Sequence, residues 1–141
     1  MKEYSATAMI QASPEKIWAI LTRGANYSEW DPGTERIEGE IAAGKKITAY
    51  STLSPGRAFP VKVSEFIPGR KMTWRSGMPL GLFKGERTFT LIPQDNGMTQ
   101  FVLREVFSGP MLAFMGNSIP DMTETFEEFV NGLKNRAEGR D

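Results

Sequence analysis

Two strongly alternating segments in the second half of the chain constrain the fold more than any other feature. In Phe83–Pro93 the even positions from 84 to 90 are polar, whereas the odd positions 83, 89 and 91 hold large apolar residues. Thr99–Phe107 repeats the pattern, with large apolar residues at positions 101, 103 and 107. Because successive side chains of a β-strand point to opposite faces, both segments are predicted strands with an apolar face that packs inward.

Each of these apolar faces also carries one charged residue, Arg87 in the first strand and Glu105 in the second. A charge in such a place is costly unless it is paired or hydrated. If residues 94–98 form the connecting loop, Pro93 pairs with Thr99 and Arg87 lies directly opposite Glu105. A two-residue turn at positions 96 and 97 would break this facing unless a β-bulge restored it. The sequence thus predicts an inward Arg–Glu pair, which is either a structural ion pair or a polar anchor for a ligand.

The composition excludes several kinds of function. Lysine plus arginine equals aspartate plus glutamate at 17 each, and the chain has no histidine and no cysteine. Without excess positive charge we expect no nucleic-acid partner, and without an apolar run of ~20 residues we expect no membrane insertion. Catalysis by Ser–His or Cys–His pairs is ruled out, and we expect no metal and no other cofactor. The length predicts a single domain over residues 1–141, and we expect it in the cytoplasm because no signal-peptide core is present.

The remaining segments predict a mixed α and β chain. Further strands are predicted at Tyr4–Gln11, near Glu35–Ile41 and Lys45–Ser51, and at Phe59–Ile67 and Arg70–Ser76. In the last two, a tight turn that places Ile67 opposite Arg70 would put Glu65 on the inward face. Ser13 and Pro14 are typical of a helix start, and apolar residues at helical spacing from Met122 onward predict a long C-terminal helix.

Three longer stretches carry a resemblance to a known family. They are ASPEKIWAIL at 12–21, YSEWDP at 27–32 and FIPGRKMTWR at 66–75. With the order of elements, they resemble the START-like (SRPBCC) superfamily, closest to its polyketide cyclase/dehydrase-type branch. The resemblance implies an α+β helix-grip fold: a curved antiparallel sheet of about six or seven strands wrapped around a long C-terminal helix, with an internal cavity. Members bind lipids, sterols, polyketides or plant hormones, and others are cyclases, hydroxylase subunits or co-chaperone-like proteins. No catalytic motif is universal in the superfamily, so the resemblance implies no catalytic residues.

The strand order also predicts where such a cavity would open. In an antiparallel sheet, the loops Thr52–Arg57, Ser76–Leu82 and Ser108–Ser118 lie at one edge, and the last two are rich in apolar residues and methionine. Such loops can form a gate for an apolar ligand, fold back to close the core, or contact another protein.

We therefore predict binding or transport of a small hydrophobic molecule, lipid-like or polyketide-like, between the sheet and the C-terminal helix. One alternative is a polyketide cyclase or dehydratase, in which Arg87 polarises a carbonyl and Glu105 moves protons. A second alternative is a protein-interaction module whose apolar loops dock a partner or form a homodimer. The predicted ligand-binding residues are Met72, Trp74, Phe83, Arg87, Phe89, Leu103, Glu105, Met111, Met115, Met122 and Phe126.

Overall fold

A computed structural model describes residues 1–115 and 119–140, and at Met115 it describes the backbone alone. The described residues form strands and helices in the predicted order. In chain order these are β1 (Lys2–Ile10), α1 (Pro14–Leu21), α2 (Tyr27–Trp30), β2 (Thr34–Glu38), β3 (Lys46–Ser51), β4 (Ala58–Ile67), β5 (Lys71–Gly77), β6 (Lys84–Pro93), β7 (Thr99–Ser108), α3 (Leu112–Met115) and α4 (Thr123–Glu138).

The strands form one antiparallel sheet in the order β1-β7-β6-β5-β4-β3-β2. Strands β2 to β7 follow one another as a meander, and β1 completes the sheet by pairing with β7. The sheet curls into a half-barrel, and α4 packs on its inner side against β1 and β7. This arrangement confirms the predicted α+β helix-grip fold.

Helix α1 begins where the sequence predicts. The Ser13 hydroxyl accepts a hydrogen bond from the Lys16 backbone N–H at 3.2 Å, and Pro14 occupies the first turn, where its missing N–H costs nothing. Ile17 and Leu21 are fully buried on one face of this helix. The cap and the apolar face together fix the helix against the rest of the core.

Helix α4 supplies the centre of the core. Its buried residues recur at helical spacing and are Phe126, Phe129, Val130, Leu133 and Ala137. Gly132 lies directly against the end of α2, where a Cβ atom would come within 1.9 Å of the Trp30 carbonyl oxygen. The missing side chain at this position therefore allows α2 and α4 to pack closely.

The hairpin of β6 and β7 has the predicted register. Pro93 pairs with Thr99, Arg87 lies directly opposite Glu105, and Lys84 pairs with Ser108. Residues 94–98 form the loop, which is closed by a hydrogen bond of 2.8 Å from the Gln94 N–H to the Met98 carbonyl oxygen.

The hairpin of β4 and β5 differs from the sequence-based expectation. Ile67 pairs with Lys71 rather than Arg70, and the register shifts between Val63 and Glu65. The expectation that Glu65 lies on the inward face is therefore wrong. Because the irregularity reverses the alternation, Glu65 lies on the outer face, where its carboxylate forms an ion pair with Lys71 at 3.3 Å.

Candidate functional site

The predicted ligand-binding residues lie on the inner side of the sheet and on or before α4. Five belong to the continuous buried core: Met72, Trp74, Phe89, Leu103 and Phe126. Glu105 is also buried, whereas the half-buried members are Phe83, Arg87, Met111 and Met122. The side chain of the eleventh, Met115, lies outside the described residues. The fold therefore places nine of the ten described residues between the sheet and α4 or at the edge of that space, and it places Met111 in the loop after β7; their role in binding stays a prediction.

The centre of the candidate site is an ion pair between neighbouring strands. The Arg87 Nε atom donates a hydrogen bond to Glu105 Oε1 at 2.5 Å, and the two side chains are 28% and 10% exposed. The Arg87 guanidinium carbon also lies 5.0 Å from the centre of the Phe126 ring, a distance at which a cation is attracted to the aromatic face. Arg87 is thus held from two sides, by a carboxylate on β7 and by an aromatic ring on α4.

Most of the hydrogen-bonding capacity of Arg87 is unused. A guanidinium has five N–H donors, and only Nε–H is engaged by Glu105. Within residues 1–115 and 119–140, neither Nη group of Arg87 donates a hydrogen bond to another residue. The pair therefore fixes the orientation of the guanidinium while leaving its two Nη groups available to an oxygen acceptor.

An aromatic group lies beside this pair toward the predicted mouth. Tyr4 pairs with Glu105 across β1 and β7, and its ring lies 6.1 Å from Phe126 and 6.5 Å from Phe107. Phe83 stacks on Phe107 at 5.9 Å. Tyr4 and Phe107 were not among the predicted site residues, although both are inward-facing in the alternation of their strands. The surroundings of Arg87 are therefore apolar and aromatic.

A second polar group, also missed by the sequence analysis, lies within the electrostatic reach of Arg87. Asp31 is buried, and its carboxylate accepts hydrogen bonds from the Gly33 N–H at 3.1 Å and the Thr34 hydroxyl at 2.6 Å. Burial raises the pKa of the Asp31 carboxyl above its ordinary value, and the two hydrogen bonds and the charge of Arg87 only partly offset this. The Asp-Pro sequence is typical of a turn, but it gives no sign of this burial.

Tyr27 lies beside Asp31 in the same part of the core. Its hydroxyl donates a hydrogen bond to the Leu21 carbonyl oxygen. Burial raises the pKa of this hydroxyl well above its ordinary value, and Asp31 raises it further, while Arg87 acts in the opposite direction. Tyr27 therefore stays neutral at ordinary pH and acts as a hydrogen-bond donor.

Two buried indole groups flank Tyr27. The Trp30 ring lies 4.8 Å and the Trp74 ring 6.1 Å from the Tyr27 ring. Both Nε1–H groups are buried, and neither has a hydrogen-bond partner among the described residues. Trp74 also pairs with Arg87 across β5 and β6. Since an unsatisfied buried donor costs ~1–3 kcal/mol, an oxygen acceptor or an ordered water at either N–H group would be favourable.

The structure also outlines two surface depressions outside this region. One, of about 620 Å³, lies on the outer face of the sheet and is lined by Ser64, Glu65, Lys71, Thr73, Arg75, Glu86, Thr88, Arg104 and Val106. Charged pairs such as Arg75 and Glu86, 3.0 Å apart, neutralise it. The other, of about 310 Å³, lies between α2 and α4 next to Trp30 and Gly132. Neither depression is the cavity predicted between the sheet and α4, where the core side chains pack.

Within residues 1–115 and 119–140, no cluster of three or more acidic side chains is arranged to hold a metal ion. Among the described helices, none combines the length and the apolar character that crossing a bilayer requires.

Comparisons with known proteins agree with the fold. The family model described as polyketide cyclase/dehydrase and lipid transport matches residues 1–138. A comparison with curated protein sequences gives no significant match.

Solved structures with the same fold include proteins of different kinds. An aromatase/cyclase from a Streptomyces species is 18% identical, with 99% of this chain and 94% of that chain covered and a TM-score of 0.73. A START superfamily protein from Mycobacterium smegmatis is also 18% identical, with 99% of each chain covered and a TM-score of 0.67. The Aha1 dimer from Colwellia psychrerythraea is 24% identical, with 100% of this chain and 99% of that chain covered and a TM-score of 0.74. These similar structures support the fold. The family supports a role in hydrophobic ligand binding or in cyclisation. The match of the family model over residues 1–138 shows that the chain belongs to the polyketide cyclase/dehydrase and lipid transport family.

Proposed function

We propose that this protein binds a small hydrophobic molecule that carries an oxygen acceptor, such as a carboxylate or a carbonyl. The apolar part of the molecule would lie against the rings of Tyr4, Phe107 and Phe126 beside the ion pair, and its oxygen would accept hydrogen bonds from the Nη groups of Arg87. One observation carries this proposal: Glu105 engages only Nε of Arg87, which leaves the outer donors of an oriented guanidinium free beside an aromatic surface.

The surroundings support an apolar ligand with a polar head. Phe126, Phe107 and Tyr4 lie around the pair, and the unpartnered indole N–H of Trp74 lies on the next strand. Aromatic walls with a few fixed donors are typical of small-molecule sites, because the walls supply burial and the donors fix the orientation. The same arrangement disfavours acid–base chemistry at Glu105, since its carboxylate is held by Arg87.

The proposal can be tested by substituting two arginines that have similar geometry but lie on opposite faces of the sheet. Arg87 and Arg75 lie on adjacent strands, and each donates from Nε to a glutamate, Glu105 and Glu86 respectively. We would measure binding of the fluorescent fatty acid parinaric acid and of its methyl ester. A hydrogen bond to a charged group contributes ~1.5–3 kcal/mol, so Arg87→Ala should weaken binding of the acid by roughly ten-fold to a hundred-fold.

The controls define what would count against the proposal. Arg75→Ala should bind the acid like the wild-type protein, and Arg87→Ala should affect the uncharged ester less than the acid. Unchanged binding of the acid by Arg87→Ala, or an equal loss in Arg75→Ala, would show that Arg87 is not the anchor. Native mass spectrometry of the purified protein would show in addition whether a natural ligand remains bound.

The second candidate is an enzyme of the cyclase or dehydratase kind. One observation favours it: Asp31 is a buried carboxyl with a raised pKa in the field of Arg87, and a carboxyl of that kind can serve as a proton donor. The similarity to an aromatase/cyclase from Streptomyces makes polyketide-like substrates the class to test. Turnover of a poly-β-ketone that is lost in Asp31→Asn while parinaric acid binding is kept would decide for the enzyme.

A further inference from the structure

A glycine in β6 brings a hydroxyl group and an aromatic ring together on the inner face of the sheet. Gly85 pairs in regular register with Ser76 on β5 and Phe107 on β7, and its φ lies outside the left-handed region. A Cβ atom at this position would come within 3.1 Å of Ser76 Oγ and 3.2 Å of the Phe107 ring. Neither a turn nor a β-bulge therefore explains the glycine, which leaves the close approach of other groups as its reason. We call Ser76, Gly85 and Phe107 the notch.

The Ser76 hydroxyl in the notch is available to a ligand. Ser76 is half-buried, and its Oγ atom, which lies over Gly85, makes no hydrogen bond to any of the residues 1–115 and 119–140. A hydroxyl can both donate and accept a hydrogen bond, whereas the guanidinium of Arg87 can only donate. The notch therefore offers what Arg87 does not, an acceptor for the proton of a hydroxyl group on the ligand.

The notch lies one row of side chains nearer the predicted mouth than Arg87. Gly85 and Arg87 are two residues apart on the same face of β6, so their Cα atoms are ~7 Å apart. The row on the other side of Arg87 is closed, because Met72, Phe89 and Leu103 are fully buried. A ligand that is bound to the Nη groups of Arg87 cannot extend into that row, and a chain that leaves Arg87 toward the mouth passes the notch.

Building on the proposed function, we infer that the ligand is a long-chain acid that carries a hydroxyl group in addition to its carboxylate. The carboxylate would bind the Nη groups of Arg87, and the hydroxyl would donate a hydrogen bond to Ser76 Oγ. A plain fatty acid would instead cover the Ser76 hydroxyl with hydrocarbon, and a polar group that is removed from water without a partner costs free energy. Ser76 would therefore be the residue that selects hydroxylated acids over plain ones.

The experiment measures how well long-chain acids displace parinaric acid from the protein. Stearic acid is compared with a series of hydroxystearic acids that differ only in the position of the hydroxyl group. We expect at least one of these isomers to displace parinaric acid at a roughly three-fold to ten-fold lower concentration than stearic acid does, which is the effect of one net hydrogen bond. In Ser76→Ala the two concentrations should become equal, because the acceptor for the ligand hydroxyl is gone.

Two further variants locate the effect in the notch. Thr88→Val is the matched control, because it removes a hydroxyl from the outer face of the same sheet, and it should keep the preference for the hydroxylated acid. Gly85→Ala should weaken the binding of plain and hydroxylated acids several-fold, because its Cβ atom would push the Ser76 side chain or the Phe107 ring into the path of the ligand.

Several results would overturn the inference while leaving the Arg87 anchor in place. They are the absence of any hydroxylated isomer that binds better than stearic acid, a preference that survives in Ser76→Ala or is lost equally in Thr88→Val, and unchanged binding by Gly85→Ala. Arg87→Ala separates this inference from the proposed function, because it should weaken stearic and hydroxystearic acids alike and leave the ratio between them. If Arg87→Ala binds parinaric acid like the wild-type protein, the proposed function fails, and this inference fails with it.

Discussion

The Arg87–Glu105 pair can be tested as a pair by a double-mutant cycle. Arg87→Met keeps the aliphatic stem and removes the guanidinium, and Glu105→Gln keeps the shape and removes the charge. The outer pair of Arg75 and Glu86 provides the matched cycle, because it joins adjacent strands through the same Nε-to-carboxylate contact. The two pairs differ in burial and in their further partners, because Glu86 also forms an ion pair with Lys84 at 3.4 Å and Arg87 also lies over the Phe126 ring.

The expected coupling free energy of each pair follows from how deeply the pair is buried. Two unit charges ~4 Å apart attract by about 4 kcal/mol at an effective dielectric constant near 20, and the desolvation of Glu105 cancels part of this. We expect a coupling free energy of ~1–3 kcal/mol for the inner pair, whose side chains are 28% and 10% exposed. The outer side chains are 55% and 30% exposed, so solvent screening should reduce their coupling to ~0.2–1 kcal/mol.

The single and double variants of the inner pair should behave differently. Arg87→Met leaves the buried Glu105 carboxylate without a partner and should lower the free energy of unfolding by about 2–3 kcal/mol. The double variant has no uncompensated charge and should come within about 1 kcal/mol of the wild-type protein. Urea denaturation of all the variants at neutral pH measures these values, provided that the slope of each transition stays constant.

Two results would refute the reasoning. One is an inner coupling no larger than the outer one, which would mean that the inner pair is hydrated like a surface pair. The other is a double variant as unstable as Arg87→Met, which would make the pair necessary for folding. A stable double variant also separates the two interpretations of the pair: as a ligand anchor it should lose parinaric acid binding, whereas as a purely structural ion pair it should keep it.

Two further predictions concern the packing and the charge of the core. Gly132→Ala should lower the free energy of unfolding, measured in urea, by ~1–3 kcal/mol. The new Cβ atom would collide with the Trp30 carbonyl oxygen, and the cost of this collision outweighs the gain in helix propensity. The control Asn131→Ala, at an exposed position of the same helix, should change the free energy of unfolding little. Burial raises the folded-state pKa of Asp31 above its unfolded value of 3.8, so the folded protein binds the proton more tightly and should gain stability relative to Asp31→Asn as the pH falls from neutral to about 4. The opposite dependence on pH comes from three carboxyl groups with lowered pKa values, Glu86, Asp121 and Glu138. Because the wild-type protein and Asp31→Asn both contain these groups, their effect cancels in the difference between the two. A stability difference that stays constant with pH would therefore contradict a raised pKa at Asp31.

Local physical rules predicted much of the fold and the centre of the site. Side chains alternate along any strand, so the inward faces of β6 and β7 could be assigned from the positions of Phe89 and Leu103. Two inward faces joined by a five-residue loop leave a regular register in which Arg87 faces Glu105, and the structure has that register. The start of α1 at Ser13 and Pro14 could be predicted for the same reason, since capping is decided within one helical turn.

Where a local irregularity or a distant contact decides the outcome, these rules are not sufficient. The irregularity in β4 places Glu65 on the outer face, and the alternation of polar and apolar residues in that segment does not predict it. The burial of Asp31 results from packing of α2 against the sheet and α4, which brings together residues far apart in the sequence. Tyr4 and Phe107 meet Phe126 for the same reason.

The sequence by itself thus determined which residues of β6 and β7 face inward, that these inward faces pair an arginine with a glutamate, and that no histidine or cysteine can take part in the chemistry. Only the tertiary structure decided that Glu105 engages Nε alone, that a phenylalanine from α4 lies over the guanidinium, and that Leu80 and Phe114 stand in solvent. The physical reason is the range of the interactions. Strand alternation and capping act within a few residues, whereas burial, ring contacts and the free donors of Arg87 depend on how α4 closes over the sheet.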